Sequence, residues 1–454
     1  MSKNPPPNYI STTNACKLCK PLGACLAFKG IEGTVPYLHG CQGCATYMRR
    51  YIISHYNEPI DIASSSLSEK HAVYGGGPNL KQGLTNVAEK YRPAMIGIAT
   101  TCLTETIGDD VPMYLREYQR DTSGSEGLPR FVHVSTPSYS GTHMEGFHAA
   151  VKSVVEQMAE TGPKTETINL MPGFVSSADY RLLQEIVNDF GLDCTLLPDL
   201  STTMDGPIFK EYVKVPSGGT PLDRIEALGK SRLSIEFGHT LADSNSGARV
   251  LEKKFQVPCH RLGLPMGIEE TDRFLALLAE ISGRSVPEKY LAQRGRLVDA
   301  YVDGHKYIFG KRAIVYGEED LVVGLTVFLA EIGIQPVLCA SGGSSGRLGR
   351  AIEKLTGELL LEQPLIFENM DFYDIGEMAK TLEPDLIIGN SKGYPLARKL
   401  QIPLVRVGFP IHDRIGGQRI LHLGYQGAQQ LFDTVTNAMI GAKQDRSDVG
   451  YAYM

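Results

Sequence analysis

The chain has 454 residues, of which 42% are hydrophobic and 21% charged, and a formal net charge of −6. That length buries a large core in two to four domains, and a mild negative balance without a basic block excludes nucleic acid as a principal partner. No apolar run approaches the roughly 20 residues that span a bilayer, and Met1-Ser-Lys-Asn-Pro-Pro-Pro-Asn8 lacks the apolar segment of a signal peptide, so a cytoplasmic protein with reduced thiols is expected.

Residues 1–15 are rich in Pro, Asn, Ser and Thr and read as an arm on a surface or partner. Cys16-Lys-Leu-Cys19-Lys-Pro21-Leu-Gly23-Ala-Cys25 and His39-Gly40-Cys41-Gln-Gly43-Cys44 follow, gathering five of the nine cysteines into one short stretch. The pattern over 26–61 is turn-rich, with a helix expected at 43–55, where Tyr47, Tyr51 and Ile52 recur at helical spacing. Cys44 then falls in a first helical turn, where free N–H groups and the positive dipole end stabilise a thiolate. Residues 80–91 are amphipathic, and the apolar run 94–99 is a strand that delivers Cys102 to the carboxyl edge of a parallel sheet. Clustered thiols at loop positions in a reducing compartment suit a metal group better than disulfides.

A helix at 112–118, a strand at 131–135 and a helix at 146–160 complete this first unit. The second has strands at 167–170, 194–197 and 232–235, with helices at 178–190, 245–255 and 270–282. A helix over 287–308 bridges to a third, with strands at 312–316, 336–339, 385–388 and 404–407 and helices at 320–332, 346–356 and 393–400. Strands alternating with helices predict an α/β protein of three Rossmann-like, doubly wound parallel-sheet units, bounded as 1–160, 161–308 and 309–454.

In order and spacing, several motifs resemble the nitrogenase component-1 family, and specifically its β-type subunits. They are Cys19-Lys-Pro-Leu-Gly-Ala24, His39-Gly-Cys-Gln-Gly-Cys44, Glu58-Pro-Ile-Asp61 with Ser64-Ser-Ser66, Thr100-Thr-Cys102-Leu-Thr-Glu-Thr-Ile-Gly-Asp-Asp110, and Thr136-Pro-Ser138 with Gly141-Thr-His143. Ile388-Gly-Asn-Ser391, Gly408-Phe-Pro-Ile-His-Asp-Arg414 and Gly424-Tyr-Gln-Gly427 extend the likeness to nearly the whole chain. The resemblance implies that Cys19, Cys44 and Cys102 hold one half of an iron-sulfur cluster, [4Fe-4S] or the [8Fe-7S] P-cluster type, shared with an α-type partner in an α2β2 heterotetramer. Ser138 matches a position that ligates the oxidised cluster in some members. An ATP-dependent homodimeric iron-sulfur reductase is the implied electron donor, and the final cofactor is implied to sit in the partner. The corresponding segments here, Glu236-Phe-Gly-His239-Thr-Leu-Ala-Asp243 and Pro403-Leu-Val-Arg-Val-Gly408, lack its cysteine and histidine ligands in register.

Within the family, the short N-terminus and Ser282-Gly-Arg-Ser-Val-Pro-Glu-Lys-Tyr290 most resemble the scaffold subunit on which nitrogenase cofactor matures. The β-type subunit of methylthio-alkane reductase, which cleaves carbon-sulfur bonds, looks much the same, and dinitrogen reduction ranks third. Cys16 and Cys41 are not positions the family requires and read either as thiols that support the ligands from behind or, most simply, as small buried residues. Two other readings stay open: a non-redox α/β binding module, and a zinc protein using Cys16-x-x-Cys19 with Cys41-x-x-Cys44, which leaves Cys102 unexplained. Gly342-Gly-Ser-Ser-Gly346-Arg-Leu-Gly349 lacks the Gly-Lys-Ser/Thr of a phosphate loop and reads as a strand-to-helix connection. His143 and His239 read as hydrogen-bonded structure, Asp109-Asp110 as a helix start, and Cys194, Cys259 and Cys339 as core.

Overall fold

Unbroken apolar runs such as Met95–Thr100 and Leu386–Gly389 carry no polar alternation, the mark of strands covered on both faces. The computed structural model describes residues 16–448 except 123–126, 209, 212 and 358; the expected N-terminal arm lies outside them. The first sheet is built from β1 (Thr34–His39), β2 (Ala63–Ser64), β3 (Met95–Thr100) and β4 (Arg130–Val134), in the order β2-β1-β3-β4. The second contains β5 (Ile168–Met171), β6 (Cys194–Leu196), β7 (Leu233–Phe237) and β8 (Cys259–Leu262), in the order β6-β5-β7-β8. In the third, β9 (Arg312–Gly317), β10 (Gln335–Ser341), β11 (Leu365–Phe367), β12 (Leu386–Gly389) and β13 (Leu404–Arg406) run in the order β11-β10-β9-β12-β13.

Every pairing is parallel. Each sheet winds outward in both directions from an interior strand, so the α/β, doubly wound fold expected from the sequence is the observed one. Such sheets have a crevice where the winding reverses, outside the carboxyl ends of two neighbouring strands. In the first sheet that place lies between β1 and β3, which pair from Thr34 with Met95 to His39 with Thr100.

One apolar core runs through all three units, from Leu22 and Phe28 through Leu183 and Phe237 to Phe328 and Leu431. The helix Glu288–Ile308 lies along the C-terminal helix Gly424–Asp445, with Phe432 against Gly304. The entry to that last helix is pinned to the second unit, because Asp179 accepts from the N–H groups of His422 and Leu423.

Two elements were not expected in the turn-rich opening. The helix Lys20–Lys29 is buried from Pro21 to Lys29, so it shows no amphipathic period. Strand β1 carries Pro36 at its centre, which argues against an interior strand by composition, yet it pairs on both sides. Of the three cysteines assigned to the core, Cys339 is fully buried whereas Cys194 and Cys259 are half-buried near sheet ends. Asp110 caps the helix Val111–Asp121 by accepting from Met113 N–H, as its sequence position suggested.

Candidate functional site

The reversal point of the first sheet is tied together by the residues that follow β1 and β3. The carbonyl of His39 accepts from Thr101 N–H at 3.2 Å and from Thr104 Oγ1 at 3.0 Å. A Cβ on Gly40 would lie 2.3 Å from Thr101 Oγ1, so only glycine lets the two loops touch. The His39 ring is fully buried, with Nδ1 2.6 Å from Ser65 Oγ and Nε2 3.0 Å from Asp109 Oδ2. Burial lowers its proton affinity, and the Asp109 carboxylate opposes that shift in part. Asp109 also accepts from Gly76 N–H, so this imidazole rivets three connections at the mouth of the crevice.

Cys41 and Cys44 leave β1 on the helix Gln42–Tyr56, Cys41 as its N-cap and Cys44 in its first turn. Cys102 opens the helix Cys102–Ile107 behind the capping residue Thr101. Cys19 is the N-cap of Lys20–Lys29. Cys44 thus stands in the first helical turn expected for it, and Cys19 and Cys102, read from sequence as loop residues, also stand at helix amino ends, where backbone N–H groups favour negative charge.

Cys19 is held by residues distant from it in sequence. Its helix crosses His143–Met158 at backbone contact: a Cβ on Gly23 would lie 1.7 Å from the His143 carbonyl oxygen, and one on Gly146 would lie 1.8 Å from that of Lys20. His143 N–H donates to the Leu18 carbonyl at 3.1 Å, and Lys20 Nζ donates to Ser140 Oγ at 3.1 Å. That anchors the turn Ser138–Ser140 beside the site, where Ser138 N–H donates to Cys102 Sγ at 3.2 Å.

The sulfurs are near enough to feel one another. Burial pushes the Cys44 thiol up to about 12, and the Cys41, Cys19 and Cys102 sulfurs add to the shift by repelling a further thiolate. Cys44 Sγ lies 3.4 Å from Cys41 Sγ. Burial opposes ionisation of Cys41, but hydrogen bonds at the helix start, from Cys44 and Gly43, outweigh it and lower that thiol. Tyr47 is pushed up by burial and then by the Cys19 sulfur beside its hydroxyl. Cys19 and Cys44 are half-buried at the margin of the core and Cys102 is exposed, so the group lies at the surface of the chain.

This donor set fits an iron-sulfur group: three soft ligands on helix amino ends, with one backbone N–H already directed at a sulfur. Among the described residues no three His, Cys, Asp or Glu side chains converge on a single metal ion. Cys16 does not join the others. It is buried in the core of the third unit with Tyr316 and Val337, which removes the four-cysteine zinc reading. Cys41, expected to be a small buried residue, is half-exposed beside Cys44. Its i, i+3 spacing from Cys44 at a helix start was the available signal, and the same spacing carries on to Tyr47.

The remaining motifs resolve as structure. The loop after β10 gives the N–H of Ser345 to Glu319 and those of Gly346 and Leu348 to Glu368, so its anion-binding groups are already occupied by carboxylates. His143 Nε2 pairs with Glu318 at 2.7 Å, and His239 lies 3.6 Å from Glu270. Asp413 is held by Arg406 and Ser391.

Comparison with known proteins shows the family and the fold. The model of the nitrogenase component 1 type oxidoreductase family matches residues 19–440. The chain is 36% identical to the nitrogenase molybdenum-iron protein beta chain of Clostridium pasteurianum over 94% of its own length and 93% of the relative's. It is 36% identical to that of Methanothermobacter thermautotrophicus, covering 94% of each. A solved structure described as nitrogenase Cp1 at pH 6.5 superposes with a TM-score of 0.95 at 34% identity, covering 99% of this chain and 98% of the other. Sequence, fold and the grouping of sulfurs thus converge, and the chain belongs to the nitrogenase component 1 type oxidoreductases as a β-type subunit.

Proposed function

We propose that this chain is the electron-relay subunit of a nitrogenase-like α2β2 complex, with Cys19, Cys44 and Cys102 holding half of an iron-sulfur cluster at the contact with an α-type partner. Ser138 stands ready as an oxygen donor. The observation that carries this reading is the grouping of the three sulfurs, partly exposed, at the reversal point of the first sheet. When bound, the cluster supplies one-electron storage, and an ATP-dependent iron-sulfur reductase is its donor. The protein's own part is to hold three thiolates, direct the Ser138 N–H at Cys102 and fix the loops through His39 and Thr104.

The chain's interior supports placing the final cofactor in the partner. Where the three units meet, a cleft of about 70 Å³ is lined by Glu145, Glu318, Glu319 and Asp320 together with His143 and His148. Carboxylates there repel an anionic metal-sulfur cofactor. Glu236, in one segment that corresponds to a cofactor ligand, is buried and taken up by Ser246 and Arg261.

As to the complex served, we assign the chain to the scaffold on which nitrogenase cofactor matures, on the likeness of residues 282–290. The names of its relatives favour a second reading, a catalytic complex. The short N-terminus does not separate the two, since beta chains named for the molybdenum-iron protein match over nearly their full length. Methylthio-alkane reduction is a further catalytic form.

The chain purified with its partner without oxygen should contain iron and sulfide in near-equal amounts. Cys44→Ala should lower both, together with the reductant-dependent spectral change. Wild-type iron and an unchanged spectrum in that variant would refute the relay. Turnover of dinitrogen or of a methylthio-alkane with reductase and ATP, in place of cofactor release, would move the chain to the catalytic reading.

A further inference from the structure

Cys41 is the one cysteine of the site that the proposed ligand set leaves without a task. It is half-exposed, unlike the buried Cys25 and Cys339, so filling the core does not account for it. As the N-cap of a helix of 15 residues it has the N–H groups of Gly43 and Cys44 beside its sulfur. That sulfur also lies 3.4 Å from Cys44 Sγ, within hydrogen-bonding reach for two sulfurs. Gly43 intervenes without obstruction, since a Cβ there would still be 3.9 Å from the Cys41 sulfur.

We infer that Cys41 tunes the relay by donating an S–H···S hydrogen bond to the ligand sulfur of Cys44. This rests on the reading of Cys44 as a cluster ligand. A thiolate bound to iron has no proton to give, so the observed contact persists in the loaded protein only with Cys41 as donor. A donor on a ligand sulfur stabilises the more negative, reduced state and raises the reduction potential. Cys41 is thus a positioning residue that acts through Cys44 and does not itself bind metal. The Ser138 N–H does the same for Cys102 from the backbone, and the Tyr47 hydroxyl stands beside the Cys19 sulfur.

The test uses the anaerobically purified complex as wild type, Cys41→Ala and Cys41→Ser, with iron analysis and a redox titration followed by electron paramagnetic resonance. Iron content should be the same in all three. The Cys41→Ala midpoint should move to more negative potential, with about a fivefold change in the oxidised-to-reduced ratio at the wild-type midpoint, the effect of losing one hydrogen bond of about 1 kcal/mol. Cys41→Ser, which keeps a donor, should stay near wild type. A Cys41→Ala midpoint equal to that of wild type overturns the inference, as does a serine variant displaced as far as the alanine one. Loss of iron in Cys41→Ala would make Cys41 a ligand and overturn it too. Wild-type protein without iron would instead sink the relay reading beneath it.

Discussion

At the scale of single residues, the fold holds polar groups that burial keeps neutral. His55 is buried between Tyr56 and Phe409, with its Nδ1 accepting from Ile411 N–H at 2.9 Å. Burial, with the nearby His422 and His412, pushes its pKa down to about 3. Between that value and the ordinary 6.5 the unfolded chain binds one proton more than the folded one, so stability falls as pH drops through 6.5. The slope from this residue is roughly 1.4 kcal/mol per pH unit. Urea unfolding between pH 7 and 4.5 should show that decline, and His55→Gln should flatten it. Asp179, held low despite its burial by His422 and backbone N–H groups, adds to acid lability in the same direction. The ligand candidates themselves were legible in the sequence because thiols at motif spacing are chemically distinctive. His55 was not, since nothing local distinguishes a buried histidine from a solvated one.

At the scale of elements, the decisive contact is the crossing of Lys20–Lys29 with His143–Met158. Gly146→Ala gains up to about 1 kcal/mol of helix propensity. It also places a methyl 1.8 Å from a backbone oxygen that cannot move without its helix. Overpacking of this kind costs about 1 to 3 kcal/mol, so clash wins and the variant should be less stable to urea. The same crossing bears on one element that escaped prediction; the helices Phe372–Leu382 and Gly424–Asp445 and the strands β8 and β11 were not predicted either. Amphipathic helices such as Ser177–Asp189 and Glu269–Ser282 and the unbroken apolar strands declared themselves by period. Lys20–Lys29 did not, because a helix wrapped on all sides has no polar face to reveal it, and β1 was masked by Pro36. Local pattern reports how an element meets water, and these two scarcely meet it.

At the scale of the whole molecule, three sheets converge on a cleft whose carboxylates strain against one another. Burial raises Glu319 to about 7, with Glu368 and Glu145 adding to the shift and hydrogen bonding from Ser345 opposing it. The folded chain holds that proton where the unfolded one has released it, so stability is lost as pH rises from 4.5 towards 7. Glu319→Gln keeps an acceptor for Ser345 N–H and removes the charge. It should raise the unfolding free energy at pH 8 by roughly 1 to 3 kcal/mol, and the gain should fade towards pH 4.5. The three-unit plan was legible from alternating strands and helices. The acidic character of the cleft was not, because Glu145 of the first unit meets the consecutive Glu318, Glu319 and Asp320 of the third only after folding.

The glycine crossing has one more consequence. Two backbones in direct contact cannot slide, and one carries Cys19 at its tip while the turn before the other leans on Cys102. If the proposed cluster sits here, a cradle so braced would change shape little when it gains or sheds an electron. A small reorganisation energy lets charge hop quickly with little driving force, and the stiffness that excludes a single methyl group is the stiffness that fast tunnelling requires.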